Sequence, residues 1–181
     1  EQGMALLSES YYLERALQPV GELSQAPVGE LLKVGQSVII LPDAAALDHE
    51  DLAALGRWVE EGGTLVRFAG PRLATTLDDT LVPVTLRRGG RAMDGSMQWS
   101  KPAELGAFPK HSPFKGITVP KGLSISRQVL AEPGLGLMDR TWARLRDDTP
   151  LVTAARRADG WLVLFHTTAN ADWSRVALSG V

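Results

Sequence analysis

The sequence predicts an α/β fold in which a sheet with parallel strands carries helices on its faces. Three observations lead there. Residues 37–70 read as strand, helix, strand, and residues 150–166 read as a β-hairpin of apolar, β-branched runs. The composition, 44% hydrophobic and 22% charged over 181 residues, is that of an ordinary globular chain. A chain this long buries roughly two-thirds of its unfolded surface in one core, so residues 1–181 are expected to form a single domain.

The central passage is the clearest. Val38-Ile39-Ile40-Leu41 is a short continuous apolar run, the pattern of a strand covered on both faces, and Pro42-Asp43 ends it. Asp48 suits a helix N-cap, with Glu50 and Asp51 in the first turn where the dipole favours negative charge. Leu52, Leu55, Trp58 and Val59 recur at helical spacing, and Gly62-Gly63 stops the helix. Thr64-Leu65-Val66-Arg67-Phe68-Ala69 then returns as a second strand. A crossover of this kind joins parallel strands with a right-handed turn.

Upstream, residues 11–17 form a short helix ending before Pro19, and Met4-Ala5-Leu6-Leu7 is the one candidate for the strand that a wound sheet requires ahead of it. Residues 29–33 add a turn of helix. From residue 71 to about 136 the composition shifts to Gly, Pro and short β-like runs. That stretch is expected to be a β-rich insertion packed on the core, with strands at 81–86, 96–99 and 123–130 and a mobile loop around 101–121. The last part is the hairpin of 150–155 and 161–166, its turn closing at Asp159-Gly160, a dipeptide that accepts positive φ. Ala171-Asp172-Trp173 reads as a capped helix start. The chain opens Glu1-Gln2-Gly3 with its first Met at position 4, and it is expected to be a piece of a longer protein.

Composition removes several function classes. With no Cys, disulfide scaffolds, thiolate zinc sites and cysteine nucleophiles are excluded. A net charge of −2 without a basic run argues against nucleic acid as a partner. The apolar runs fall well short of the roughly 20 residues that span a bilayer.

The Tyr11-Tyr12-Leu13-Glu14-Arg15-Ala16-Leu17 segment, the Gly62-Gly63-Thr64-Leu65 return and the run from Pro150-Leu151-Val152-Thr153 through Leu164-Phe165-His166 to Asp172-Trp173-Ser174 resemble a bacterial family. Its members are large two-anchor membrane proteins in which an aerotolerance-regulator-like N-terminus precedes a class I glutamine-amidotransferase-like domain. The resemblance implies a three-layer α/β/α, flavodoxin-like domain of a membrane-anchored parent, with the periplasmic side possible for the domain. It also implies other domains of the parent, or a protein partner, as what the domain meets. Amidotransferases place a cysteine on a sharp strand-to-helix elbow. Here the strand leads into Gly70-Pro71-Arg72 and the chain holds no sulfur nucleophile, so glutamine hydrolysis by that route is excluded.

Among candidate site residues His166 stands first, because it closes a buried strand and polar residues follow it. His166, Thr167, Asn170 and Trp173 are expected to line a ligand pocket, since sheet ligands gather at the carboxyl ends of parallel strands. The alternative is a hydrolase with His166 as base and Asp172 or Asn170 assisting. The bland reading has His166 capping the strand and Asn170 or Asp172 capping the next helix. Ser112, between His111 and Pro113, suits a turn better than a nucleophile, and no Gly-x-Ser-x-Gly elbow occurs. His49, His111 and His166 lack metal-ligand spacing, and Asp78-Asp79 and Asp147-Asp148 read as loop residues, so no metal is expected. No cofactor is expected either, since Gly134-x-Gly136 lacks the third glycine and following helix of a dinucleotide fingerprint. Arg87, Arg88 and Arg91 form a local basic cluster that reads as a solvated turn or a contact for an anionic partner. Trp58 and Trp161 belong to the core, and Trp99, Trp142 and Trp173 lie near loops.

Overall fold

A computed structural model of the chain describes residues 9–19, 21–76, 80–87, 97–119 and 122–174. The strand expected at residues 4–7, the Asp78-Asp79 pair and Arg88 and Arg91 lie outside them. The described elements are α1 (Glu9–Leu17), α2 (Val28–Val34), β1 (Val38–Leu41), α3 (His49–Glu60), β2 (Thr64–Phe68), α4 (Pro71–Thr75), β3 (Met97–Glu104), β4 (Ser124–Gln128), β5 (Thr141–Arg144), β6 (Pro150–Arg157) and β7 (Gly160–Phe165).

The fold is mixed α/β. A five-stranded sheet runs in the order β1-β2-β7-β6-β5, and β3 and β4 form a separate antiparallel pair. The first three strands are parallel, with Ile39 opposite Leu65 and Leu65 opposite Leu162, whereas β6 and β5 run antiparallel to their neighbours. Successive residues point to opposite faces. Leu65 and Leu162 therefore join Ile39, Leu41, Leu55, Val59 and Leu81 under α2 and α3. Val66 and Val163 turn the other way, toward the cluster that holds Leu105, Leu123 and Ile125 beside β3 and β4.

The central crossover forms as its residues dictate. Asp48 accepts the Asp51 backbone N–H at 2.8 Å while the Asp51 side chain takes the Asp48 N–H, a reciprocal capping box. Gly62 at φ +114 ends α3, with its own N–H on Val59 O and that of Gly63 on Trp58 O.

Four expectations are corrected. Residues 81–86 are not a strand. Leu81, Val82, Val84 and Leu86 are buried, but Pro83 has no N–H to give and its carbonyl accepts from Arg140, leaving a single bridge between Leu86 and Ala131. The strand expected at 96–99 runs on to Glu104, because Pro102 falls where the β3–β4 register slips and no ladder donor is required of it. The loop expected to be mobile is packed. Phe108 lies 5.5 Å from Phe114, which meets Trp142 edge-on at 6.2 Å, and His111 Nε2 donates to Thr141 O at 3.0 Å. At the last hairpin, the positive φ belongs to Ala158 (φ 50) rather than to Gly160. The strand β5 went unanticipated, since four residues that alternate buried and half-buried carry little pattern.

Candidate functional site

The carboxyl ends of β1, β2 and β7 open onto one edge of the sheet, where ligands of parallel sheets gather. Asp43, just past β1, spends both carboxylate oxygens on the start of α4: Oδ2 accepts from Arg72 N and Oδ1 from Leu73 N, each at 2.9 Å. Gly70 precedes α4, and a Cβ there would sit 2.5 Å from Thr168 Cγ2 and 2.6 Å from Asp43 Oδ2. The strand-to-helix elbow is thus closed by an internal anion, with Pro71 at the first helical position. Asp43→Ala is expected to cost about 1–2 kcal/mol in urea denaturation, as for loss of a helix cap, with Asp43→Asn retaining part of it.

A second carboxylate lies at the same edge. Glu9, the first residue of α1, accepts from Ala44 N and Ala169 N, each at 3.2 Å, and so ties α1 to the loops after β1 and β7. Burial pushes its carboxyl above the usual range, the Asp43 charge adds in the same direction, and the backbone N–H groups of Ala44, Ala169 and Asp43 oppose the rise.

His166 is fully buried and has no unused polar group. Its N–H donates to Leu151 O and its carbonyl accepts from Val129 N, both at 2.8 Å. Nδ1 lies 2.8 Å from Val129 O and Nε2 lies 2.9 Å from Thr153 Oγ1. A carbonyl can only accept, so Nδ1 carries the proton and Nε2 takes the Thr153 hydroxyl hydrogen. Burial holds the imidazole neutral, with its pKa lowered to about 4 although the Val129 carbonyl works against the shift.

The other expected site residues turn inward or stand apart. Thr167 is sealed, with Oγ1 donating to Arg127 O at 2.9 Å. Thr168 Oγ1 donates to Asn170 Oδ1 at 2.8 Å, and Asn170 Oδ1 also accepts from Trp173 N, the capping role of the bland reading. Trp173 packs in the core with Val129 and Leu164. Asp172 is exposed, so it cannot serve the buried His166, and Ala171-Asp172-Trp173 form a turn where a helix start was expected. The hydrolase arrangement therefore does not assemble, and the pocket expected from His166, Thr167, Asn170 and Trp173 is filled by their own contacts. Ser112 is buried in a turn and accepts from Phe114 N. Asp147 accepts from Thr149 N, and Asp148 pairs with Arg144 at 2.8 Å. No group of three or more metal-ligating side chains occurs among the described residues.

What stays open at this edge is a cleft of about 260 Å³ between the loop after β1 and α4, with Asp43, Arg67 and Arg72 among its polar lining and Leu47, Leu52 and Leu73 on its apolar side. Arg72 donates to Ala44 O at 2.9 Å and Arg67 to Leu81 O at 3.4 Å. Sequence reasoning missed Glu9, Asp43 and Arg72. The usable signal was Asp43 following a strand, with Pro71 marking a helix start at the end of the neighbouring one.

No protein-family model matches the chain, and no curated protein matches it. Solved structures do match. The cytoplasmic protein STM3548 from Salmonella typhimurium superposes with a TM-score of 0.64 at 15% identity, over 90% of this chain and 76% of its own. The cytoplasmic protein STM1381 from Salmonella typhimurium LT2 gives 0.67 at 14% identity, over 92% and 78%. The likeness is one of fold. The exo-beta-1,4-mannosidase Op5Man5 from Opitutaceae bacterium strain TAV5 aligns at a TM-score of only 0.49 over 27% of its chain, too low to bear on the architecture. Among the described residues no helix is long and apolar enough to cross a membrane.

Proposed function

We propose that this is a non-catalytic binding module on an amidotransferase-like, three-layer flavodoxin-like scaffold, serving a membrane-anchored bacterial protein from its periplasmic side. The parallel β1, β2 and β7 with the crossover helix α3 support the scaffold. The absence of cysteine from the sequence supports the loss of thiol chemistry.

The observation that carries the reading is the state of the sheet edge. Its buried polar groups are spent on one another and on the backbone, with His166 occupied at both ring nitrogens and Asp43 occupied at both oxygens. A general base needs a lone pair within reach of a substrate proton, and His166 offers none. Binding by shape and hydrogen bonding remains available at the cleft beside α4. Its polar and apolar walls suit a small ligand, or a side chain presented by another domain of the parent or by a protein partner.

The test is a fragment panel read by backbone amide shifts together with a hydrolase substrate panel. Shifts centred on Asp43, Arg72 and Leu73 without turnover are expected. Reproducible turnover abolished by His166→Ala, in a variant that still folds, would remove the proposal.

A further inference from the structure

We propose that the cleft beside α4 selects a small aliphatic carboxylate, with its charge held by Arg72 and its alkyl chain by the leucines of the apolar side. The inference rests on the binding reading above and names the ligand class for that site. Arg67, Arg72 and Asp43 are the charged residues among those that line the cleft, so cations exceed anions there. The Asp43 carboxylate is turned to the backbone of α4, where Arg72 N and Leu73 N occupy its two oxygens. Arg72 is exposed, and among the described residues its guanidinium makes one hydrogen bond, from Nη1 to Ala44 O at 2.9 Å. That bond steadies the group against the loop after β1. It leaves Nε and Nη2, whose N–H groups lie side by side on the other edge of the fork. Two parallel N–H groups match the two oxygens of a carboxylate. A phosphate calls instead for a cluster of backbone N–H groups, and those at the start of α4 are taken by Asp43.

The rest of the lining sets the body of the ligand. Leu47 and Leu52 are half-buried and Leu73 is buried, so a chain laid along them covers apolar surface that water now meets. Thr75 also lines the cleft, but its hydroxyl hydrogen goes to Pro71 O and Arg72 O, each at 3.0 Å. That favours an alkyl chain over a hydroxylated one. At about 260 Å³ the cleft falls below the roughly 300 Å³ at which pockets for drug-sized ligands begin, so the chain is short.

Hexanoate, hexanamide and hexylammonium, titrated into the full chain at neutral pH and followed by backbone amide shifts, test the ligand class. Hexanoate is expected to saturate shifts at Asp43, Arg72 and Leu73 with a dissociation constant about tenfold below that of hexanamide, the difference between a charge-assisted and a neutral hydrogen bond. Hexylammonium should leave those amides unmoved. Arg72→Gln should bring hexanoate to the level of hexanamide, and Arg72→Lys, which keeps the charge without the fork, should recover part of the difference. The amides of Ile125 and Leu145, in the cluster beside β3 and β4, report that each variant is folded. Equal affinity for hexanoate and either of the other probes, or hexanoate binding that survives Arg72→Gln, would overturn the carboxylate and leave the binding module standing. So would silence toward hexanoate at a cleft that neutral fragments do occupy. No response at the cleft to any of these probes or to the fragment panel would remove both.

Discussion

His166→Ala is expected to cost about 3–5 kcal/mol without altering any binding at the α4 cleft. The substitution leaves Val129 O and the Thr153 hydroxyl unpaired inside the protein and opens a cavity the size of an imidazole. A second consequence is specific to the titrating ring. Its pKa in the folded chain is about 4 against an ordinary 6.5, so between those values the unfolded chain binds a proton that the folded chain refuses. Stability from this group is fully present above pH 6.5 and is lost as pH falls toward 4. The loss amounts to about 3 kcal/mol, at about 1.4 kcal/mol per pH unit. Urea denaturation of the unaltered chain and of His166→Gln from pH 7.5 to 4.5 isolates the effect, because the remaining carboxylates are common to both. The unaltered chain should lose the additional stability, and superimposable pH profiles would show that the ring is not held neutral.

The same residue marks how much of the site could be foreseen. The strand before His166 and the polar run after it were legible, because apolar β-branched residues bounded by polar ones report burial along the chain. Which way the imidazole points was not legible. It depends on Thr153 in the adjacent strand and on Val129 at the exit from β4, and both are remote in sequence. Asp43 shows the same limit from the other side. Its place after a strand was plain, but its role at α4 comes from a helix that starts 28 residues later. The central crossover was legible almost entirely, since capping, periodicity and the Gly62 stop are local physics. Residues 81–86 misled because a continuous apolar run signals burial equally well for a strand and for a packed irregular segment, and Pro83 decides between them.

Gly160→Ala is expected to be the most damaging methyl addition among the described glycines, at about 3 kcal/mol. The tip of the β6–β7 hairpin rests on the end of α3, with Asp159 N on Glu60 O and Trp161 N on Gly63 O. A Cβ on Gly160 would collide with Val59 O and Gly63 O, both backbone atoms that no rotamer change can move. The contact joins the helix end to the strand that β2 and β6 both pair with, so relief of the clash must open the hairpin or shift α3. Gly62→Ala provides the comparison. Its φ of +114 is unfavourable for a side chain but the space around it is open, so only backbone strain applies, about 1–2 kcal/mol. Ala158→Gly, at φ 50, should be neutral within about 0.5 kcal/mol, since relief of left-handed strain opposes the added freedom of the unfolded chain. Equal losses for Gly160→Ala and Gly62→Ala in urea denaturation would mean that α3 and the hairpin tip are not in contact. Exchange of the Trp161 amide, bonded to Gly63 O, should rise in the first variant and stay unchanged in the third.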